Sequence, residues 1–453
     1  MRLRAGLGLG PLCGYPLGYV RRSIIMSTHD TLFCGIDIGK ARHVARIIDA
    51  NGNILMRPTG FTNDAAGFAL LRQRLDDTRR GKPLLIGMEA TGHYWYALHE
   101  YLTAPPLAAP GQQGHPVVVL NPLQTAAQSR KQIRKAKTDK RDTGGIAVLM
   151  KNGDFRRTVI PGELASTCRQ LTRLWFALGC QSTRLKQLAQ STLEWLWPEF
   201  EAHFSDPLCA TARAVLRLAP SPRALLTVDL PTLTKLVETT SRRKLGEDLA
   251  RRLLGSARTS IGMRRGSEGA AEVITTLLLQ LDAGKPVRQR LKDKIEALGA
   301  TLPACLLTLP GVSPISAVSL FAETDPISTF TNPDQLVAFA GLDPAVFQSG
   351  QYDAPRRHIS KRGSSHLRRT FWLMSMSAIL QPGPLRDYYK RRRAAGLHHK
   401  SALTAVALKL CRITWRIMTD QRDYTPEPPN PKSKVSPNAK PANPSPKKRK
   451  LSR

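Results

Sequence analysis

Short apolar runs separated by turn residues characterise the first third of the chain. Runs of this length with β-branched residues favour strands, whereas apolar positions that recur every three to four residues favour helices. The pattern predicts strands at 32–38, at 43–48, near Ile54, at 83–89 and at 116–120, and helices at 64–77 and 94–102. The order βββαβαβα predicts a mixed sheet with helices on its faces, an α/β arrangement of ribonuclease-H-like type.

A different periodicity covers residues 161–200. Apolar and small residues alternate there in steps of four and three, which is the period of a coiled-coil seam. These positions are Leu164, Cys168, Leu171, Trp175, Leu178, Ser182, Leu185, Ala189, Thr192 and Leu196. A long helix is expected, and the pattern leaves open whether it packs within its own domain or against a second chain. Residues 210–300 are also expected to be helical.

Four carboxylates follow the predicted strands in contexts that suit a metal site. Asp37 and Glu89 come at the ends of two apolar runs, and Asp139 and Asp142 lie three residues apart in K-T-D-K-R-D, a spacing that would place both on one helix face. In open α/β sheets, ligands bind at the carboxyl ends of strands, where these acids would meet. Carboxylates in a phosphate-binding protein repel the substrate unless divalent cations neutralise them.

The charge balance indicates a polyanionic partner. The chain has 68 Lys and Arg residues against 34 Asp and Glu residues, for a formal net charge of +34. This excess is typical of nucleic-acid-binding proteins. The seven cysteines form no C-x-x-C pair, which favours reduced intracellular thiols over a zinc site or disulfide framework. No apolar run approaches the ~20 residues of a membrane span.

Two features of the second half suggest contact with phosphates. In L-P-G-V-S-P-I-S-A, the turn at Gly311 resembles a helix-hairpin-helix element whose backbone amides approach a phosphate, and a simple packing corner between helices is the less favoured alternative. Further on, Ser349 precedes Gly350, and a dense run of basic residues follows. Cations near a serine could activate it toward a phosphodiester, but a turn beside a solvated basic face explains the same residues.

Several motifs, taken in order, resemble the insertion-sequence-110 family of DEDD transposases, relatives of the Piv-type invertases. They are G-I-D-I-G-K, G-M-E-A-T-G, N-P-L-Q, K-T-D-K-R-D, L-P-G-V-S-P-I-S-A, F-A-G-L-D-P, Q-S-G and I-S-K-R-G-S-S-H-L-R-R. The similarity spans roughly residues 33–395. It implies a RuvC-like domain with catalytic acids at Asp37, Glu89, Asp139 and Asp142, a coiled-coil segment, and a transposase domain with a catalytic serine at Ser349.

The same resemblance implies a mechanism and its partners. The four acids would bind Mg²⁺ or Mn²⁺, Ser349 would attack the scissile phosphate, and a non-coding bridge RNA would pair with donor and target DNA. Dimeric or tetrameric assembly is expected, in the bacterial cytoplasm near the nucleoid. The predicted nucleic-acid contacts are Lys137, Lys140, Arg141, Gly311, Arg356, Arg357, Lys361, Arg362, Arg368 and Arg369, with the basic stretches 130–141 and 390–393 as further candidates.

One departure from the family pattern suggests an alternative class. Asp142 precedes Thr143-Gly144-Gly145, where the family usually has alanine, and this resembles a phosphate loop of the sugar-kinase and actin fold. We reject the kinase because such a loop follows an apolar strand, whereas residues 131–141 are strongly basic. A RuvC-like nuclease that uses water instead of Ser349, and a non-catalytic RNA-binding protein, remain alternatives.

The sequence predicts the following domain boundaries. They are an N-terminal extension at 1–30, a RuvC-like domain at 31–158, a helical and coiled-coil region at 159–300, a transposase domain at 301–395, a C-terminal helix at 396–424 and a disordered basic tail at 425–453. Glycines and prolines break the apolar stretch in residues 1–25, which argues against a signal or transit peptide, and Met26 is an alternative start because it lies just before the first predicted strand. The Pro-, Lys- and Ser-rich tail lacks the apolar residues that a fold requires.

Overall fold

The computed structural model describes residues 30–90, 92–105, 114–122, 124–126, 139–155, 157–344, 348–349, 352–353 and 358–426. For residues 139–141, 348–349 and 352–353 it describes the backbone only. The N-terminal extension, Lys137, Arg356, Arg357 and the tail after Pro426 lie outside these residues. The chain divides into two compact units, Met1–Ile160 and Pro161–Arg453, which are described separately.

The first unit is an α/β sheet domain, as the apolar runs predict. Its elements are β1 (Leu32–Asp37), β2 (Arg42–Ile48), β3 (Ile54–Thr62), α1 (Ala65–Arg79), β4 (Leu84–Glu89), α2 (Trp95–Thr103), β5 (Val117–Leu120) and α3 (Asp139–Asn152). The strand order is β3-β2-β1-β4-β5, antiparallel among the first three strands and parallel from β1 to β5. Strand β3 is longer than expected, because it pairs with β2 as far as Thr62.

Helices cover both faces of this sheet. One apolar core places Leu71 and Leu75 of α1 and Leu98 of α2 against the central strands. On the other face, Ile146 and Met150 of α3 form a second core with strand residues. Burial on both faces explains the near-continuous apolar runs of β1 and β4.

The second unit is mostly helical. Its helices are α4 (Glu163–Leu196), α5 (Ala210–Leu218), α6 (Pro222–Leu225), α7 (Leu230–Ser241), α8 (Glu247–Arg258), α9 (Ser267–Gly299), α10 (Pro314–Thr324), α11 (Pro333–Ala340), α12 (Ser365–Ala378), α13 (Pro384–Ala394) and α14 (His399–Asp420). Between α11 and α12, a two-stranded hairpin pairs β6 (Gln348–Ser349) with β7 (Tyr352–Asp353). No helix in the described ranges is both long and apolar enough to cross a bilayer.

The helix predicted from the four-three pattern is α4, and it packs within its own unit against α9 and α10. At one end, Cys168 joins a core with Ile295 and Val318. At the other end, Ala189 and Leu196 join the core of the helical insert that α5–α8 form. Leu164 of the predicted seam is exposed. Apart from Leu164, the seam residues near both ends of α4 therefore pack against other helices of the same chain.

Candidate active site

Asp37 and Glu89 are the last residues of two neighbouring parallel strands. Ile36 of β1 is in register with Met88 of β4, so the two acids follow at the same level of the sheet. Neighbouring strands lie about 4.8 Å apart. Both side chains are half-buried. The two acids predicted from separate apolar runs are therefore adjacent at the carboxyl end of the sheet.

A pair of glycines shows which face the two acids share. Gly35 and Gly87 are paired across β1 and β4, two residues before Asp37 and Glu89. A Cβ atom on Gly35 would lie 2.7 Å from the backbone nitrogen of Ala147, and one on Gly87 would lie 2.6 Å from Cγ of Met150. Both glycines thus face α3. Because residues two apart in a strand share a face, Asp37 and Glu89 project on the side that α3 covers.

The first turns of α3 carry the other two predicted acids. Thr143, whose carbonyl oxygen is the nearest atom to the Gly35 site, is fully buried, and half-buried Asp142 directly precedes it. Asp139 begins the helix one turn earlier. The helix start therefore lies beside the carboxyl end of β1.

The donor set fits a hard cation, because Mg²⁺ prefers carboxylate oxygens. Among the side chains that the structure describes, no three His, Cys, Asp or Glu residues form a group that could hold a metal ion. The side chain of Asp139 is outside that description. The fold thus brings Asp37, Glu89 and the start of α3 to one corner of the sheet. That these residues bind a metal ion stays a prediction.

Thr125 contributes to this corner and was missed by sequence reasoning. Its hydroxyl group donates a hydrogen bond of 2.6 Å to Oε2 of Glu89. Thr125 lies in the helical residues 124–126 after β5, whose Leu120 is in register with Glu89. The available signal was its position just after N-P-L-Q at the end of a strand. A threonine there orients the Glu89 carboxylate through one of its oxygens.

The glycines after Asp142 continue the helix and form no phosphate loop. Helix α3 runs through Gly144 and Gly145 to Asn152, which agrees with our rejection of the kinase. A Cβ atom on Gly144 would collide with the guanidinium group of Arg46 from β2. Because this group is the end of a flexible side chain that can move, the contact alone does not require glycine at position 144.

We expect Gly35→Ala to lower the stability of the fold by disturbing the packing of α3 on β1. The added Cβ would meet the backbone of α3 at Thr143 and Ala147, and such overpacking typically costs about 1–3 kcal/mol. Nothing lies within 4 Å of a Cβ added to Gly145 in the same helix, so Gly145→Ala should stabilise the fold by up to about 1 kcal/mol. Thermal unfolding of both variants tests this; equal effects would mean that α3 does not sit tightly on β1.

In the second unit, Ser349 lies on the β6–β7 hairpin. Its strand partner is Tyr352, and only the backbone of these residues is described. The base of the hairpin is held by a bridge between Pro344 and Ile359. Below the bridge, the Lys361 amide donates to the Gly341 carbonyl, and the Ser364 amide donates to the Phe339 carbonyl. The chain on either side of the Ser349 segment is thus held by backbone contacts.

The predicted phosphate contacts near this hairpin divide into two groups. Lys361 and Arg362 are exposed. Arg368 donates 3.0 Å to the Ala340 carbonyl, and Arg369 donates to Sγ of Cys180 and lies over the Phe176 ring. The second group therefore has contacts within the protein. Lys140 and Arg141 are placed by their backbone alone, in the first turn of α3.

Gly311 has a packing role that its sequence context does not reveal. Its φ angle is +76°, and an added Cβ would lie 2.7 Å from the Ala378 nitrogen of α12. The turn precedes α10, which begins at Pro314 as predicted, but a short 3-10 helix at Ala304–Thr308 comes before it instead of an α-helix. Close packing on α12 accounts for this glycine, and a phosphate contact there remains a prediction.

Glu323 links three helices beneath the basic segment. It is 4% exposed and accepts two hydrogen bonds, of 2.8 and 3.0 Å, from Arg173 of α4. The hydroxyl of Ser364, which caps α12, donates a third bond of 2.9 Å. Burial alone would raise the pKa of Glu323, but the bonds and charge of Arg173 hold it below the usual value. Ser360 also has a partner within the protein, because its hydroxyl donates a hydrogen bond to Asp343.

Two protein-family models match parts of this chain. Residues 34–198 match a family model named for DEDD and IS110 and described as "Transposase". Residues 304–390 match the model "Transposase IS116/IS110/IS902 family".

Similar proteins extend over most of the chain. The "Insertion element IS116 uncharacterized 44.8 kDa protein" of Streptomyces clavuligerus is 28% identical over 413 residues, 89% of this chain and 99% of the relative. The "Mini-circle putative transposase for IS117" of Streptomyces coelicolor is 24% identical, covering 87% of this chain and 97% of the relative. "Putative transposase y4rJ" of Sinorhizobium fredii is 35% identical over 123 residues, 25% of this chain and 30% of the relative.

The α/β domain with its strand-end acids, the helical second unit and these matches define an enzyme that acts on DNA. More particularly, the chain belongs to the IS110/IS116 family of insertion-sequence transposases.

Proposed function

We propose that this transposase cleaves DNA strands at the corner formed by Asp37, Glu89, Asp142 and Asp139, in a divalent-cation-dependent reaction. The observation that carries the proposal is the register of β1 and β4, which aligns two acids on the sheet face that α3 covers. Two carboxylates at one level of adjacent strands repel each other unless a cation lies between them or one is protonated. A divalent cation satisfies both and attracts the phosphate.

The four acids would hold Mg²⁺ or Mn²⁺ through carboxylate oxygens. When bound, such an ion supplies positive charge to a phosphoryl oxygen and to the oxygen that leaves. The protein's own contribution is positional: β1 and β4 fix Asp37 and Glu89, and Thr125 orients Glu89 through one hydrogen bond of 2.6 Å.

We infer that Ser349 is the group that attacks the scissile phosphate. Its Oγ would form a bond to phosphorus as the bond to the 3′ oxygen breaks, and the hydroxyl proton would end on that 3′ oxygen. The products are a 5′-phosphoserine and a free 3′-hydroxyl, and the reverse reaction on another strand completes the exchange. The hairpin with its fixed base and the exposed Lys361 and Arg362 beside it support this step.

The proposal includes the element's non-coding RNA as a guide and more than one subunit. Base pairing would then select the DNA sites, while basic side chains of the protein, whose net charge is +34, contact the phosphate backbones of the RNA and DNA. The exposed run Lys390–Arg393 on α13 is a candidate for such contacts.

The test is a denaturing capture of protein–DNA adducts from cells that carry the whole element, with wild type compared with Ser349→Ala. A 5′-linked adduct that forms in wild type and is missing in the variant supports the serine step. Ser360→Ala serves as the control, because that hydroxyl is bound to Asp343 and adduct formation should persist. Cleavage by Ser349→Ala without any adduct would instead establish hydrolysis by water at the carboxylate site.

A further inference from the structure

A cleft in the helical insert of the second unit is lined by arginines. It has a volume of about 420 Å³, and Arg223 of α6, Arg258 of α8 and Arg264 of the loop before α9 surround it. Among the described residues, no carboxylate lines the cleft, and none of the three arginines has a partner. Three unpaired guanidinium groups around one concave surface favour an anion, and arginine matches phosphate oxygens in a bidentate manner.

Apolar side chains line one part of the same cleft, its floor. They are Leu196, Ala257, Met263 and Leu226, of which the last two are exposed, and the lining also includes Ser221, Ser260 and Ser267. A free inorganic anion has no use for such a surface, whereas a nucleotide presents both a phosphate and a flat, weakly polar base. The combination of an apolar floor and a cationic rim therefore selects a nucleotide over a simple anion.

A rigid loop next to the cleft presents a bare isoleucine to solvent. Ile261 is 84% exposed, although β-branched apolar residues are usually buried. Glu199 holds this loop by accepting bonds from the Ser260 hydroxyl, at 2.7 Å, and from the Ile261 amide, at 2.9 Å. The Met263 amide donates 2.8 Å to the Trp195 carbonyl. The exposure of Ile261 is thus built into a fixed backbone, as in the apolar wedges that proteins insert between bases.

We propose that this cleft binds an unpaired nucleotide of a nucleic-acid strand, with its base on the apolar floor, its phosphates on the three arginines and Ile261 against the neighbouring base. The inference rests on the proposed function only insofar as a transposase handles nucleic acid; it does not involve the carboxylates or Ser349. The shared chemistry of a phosphodiester and an unpaired base could come from DNA or from RNA.

The experiment measures binding by the full-length chain in EDTA, so that no cleavage occurs. Fluorescence anisotropy would follow labelled single strands of about 15 nucleotides, DNA and RNA of one sequence, and the matching duplex. The variants are Arg223→Ala/Arg258→Ala/Arg264→Ala and Ile261→Gln. The control, Lys186→Ala/Arg290→Ala/Lys294→Ala, removes three positive charges from exposed positions of α4 and α9.

We expect the arginine triple variant to lose about tenfold in single-strand affinity and to lower the salt dependence, the slope of log K against log salt, by about 2, because each lost phosphate contact contributes about 0.7. Ile261→Gln should weaken single strands more than the duplex. The polymer that shows the larger loss, DNA or RNA, identifies the source of the strand.

Equal losses in the charge-matched control, or unchanged slopes in the arginine variant, would overturn the proposal. Circular dichroism of each variant verifies folding. Ile261→Gln is a second, independent test of the proposal, because substitution of an exposed side chain should leave the fold intact. Because no cleavage is measured, a failure of the carboxylate or serine chemistry would leave this result untouched.

Discussion

Asp37→Asn is expected to abolish DNA strand cleavage while the protein still binds DNA. The change is nearly isosteric and removes one negative ligand from the pair at the ends of β1 and β4. Charge stabilisation by a metal site contributes several kcal/mol to a transition state, so cleavage should fall by about a thousandfold or more. Glu89→Gln should act similarly. A gel assay of strand cleavage at saturating protein concentrations, with a parallel binding assay, measures the two effects separately.

Asp30→Asn is the matched control for this experiment. Asp30 precedes the same strand at its opposite end, where it is exposed and only 3.9 Å from Lys82. Its substitution removes an equal charge and should leave cleavage unchanged. If Asp37→Asn cuts DNA at the wild-type rate, the carboxylate proposal is wrong, whatever the outcome for Ser349.

Glu323→Ala is expected to destabilise the second unit by about 1.5–3 kcal/mol. The substitution leaves Arg173 without its bidentate partner and removes an acceptor from Ser364 at the start of α12. Hydrogen bonds to a charged group contribute about this much, and the 43% exposed side chain of Arg173 remains solvated after the substitution. Hydrogen exchange of α12 amides and chemical denaturation measure the loss. Glu272→Ala, on an exposed face of α9, should change stability by less than about 0.5 kcal/mol.

Acid should reproduce part of this effect in the wild type. The pKa of Glu323 is lowered in the folded state from its ordinary value of 4.5. Its stabilising contribution is therefore complete above that value and is lost as the pH falls through the lower folded pKa. Glu323→Gln should flatten the stability curve below about pH 5. Replacing both partners, as in Arg173→Met/Glu323→Leu, should recover most of the stability; failure to do so would argue against the ion pair as the cause.

Local patterns predicted the sheet domain well because its strands are buried on both faces. The apolar runs ending at Asp37 and Glu89 located β1 and β4 to within a residue or two. The extent of β3 was underestimated because its polar residues pair with β2 and face solvent. Hydrophobic periodicity thus predicted the general architecture, which is a mixed sheet followed by helices.

The features that escaped prediction depend on contacts between distant segments. Arg173 and Glu323 are separated by 150 residues, and no local pattern shows that α4 and α10 bring them together. Thr125 was overlooked because its bond to Glu89 depends on the register of β5 with β4. Conversely, the basic motif around Arg368 and Arg369 suggested free cations, whereas the fold gives both of them internal partners.

Strands β1 and β4 end in the same three-residue motif, which is a glycine, an apolar residue and an acid: Gly35-Ile36-Asp37 and Gly87-Met88-Glu89. Side chains alternate between the two faces of a strand, so the spacing between the glycine and the acid is fixed. One residue inserted between them would turn the carboxylate to the opposite side of the sheet. The packing of α3, which requires both glycines, and the proposed reaction, which requires both acids, therefore constrain each other's positions. Very distant relatives should be recognisable by this doubled motif even where the intervening sequence has diverged.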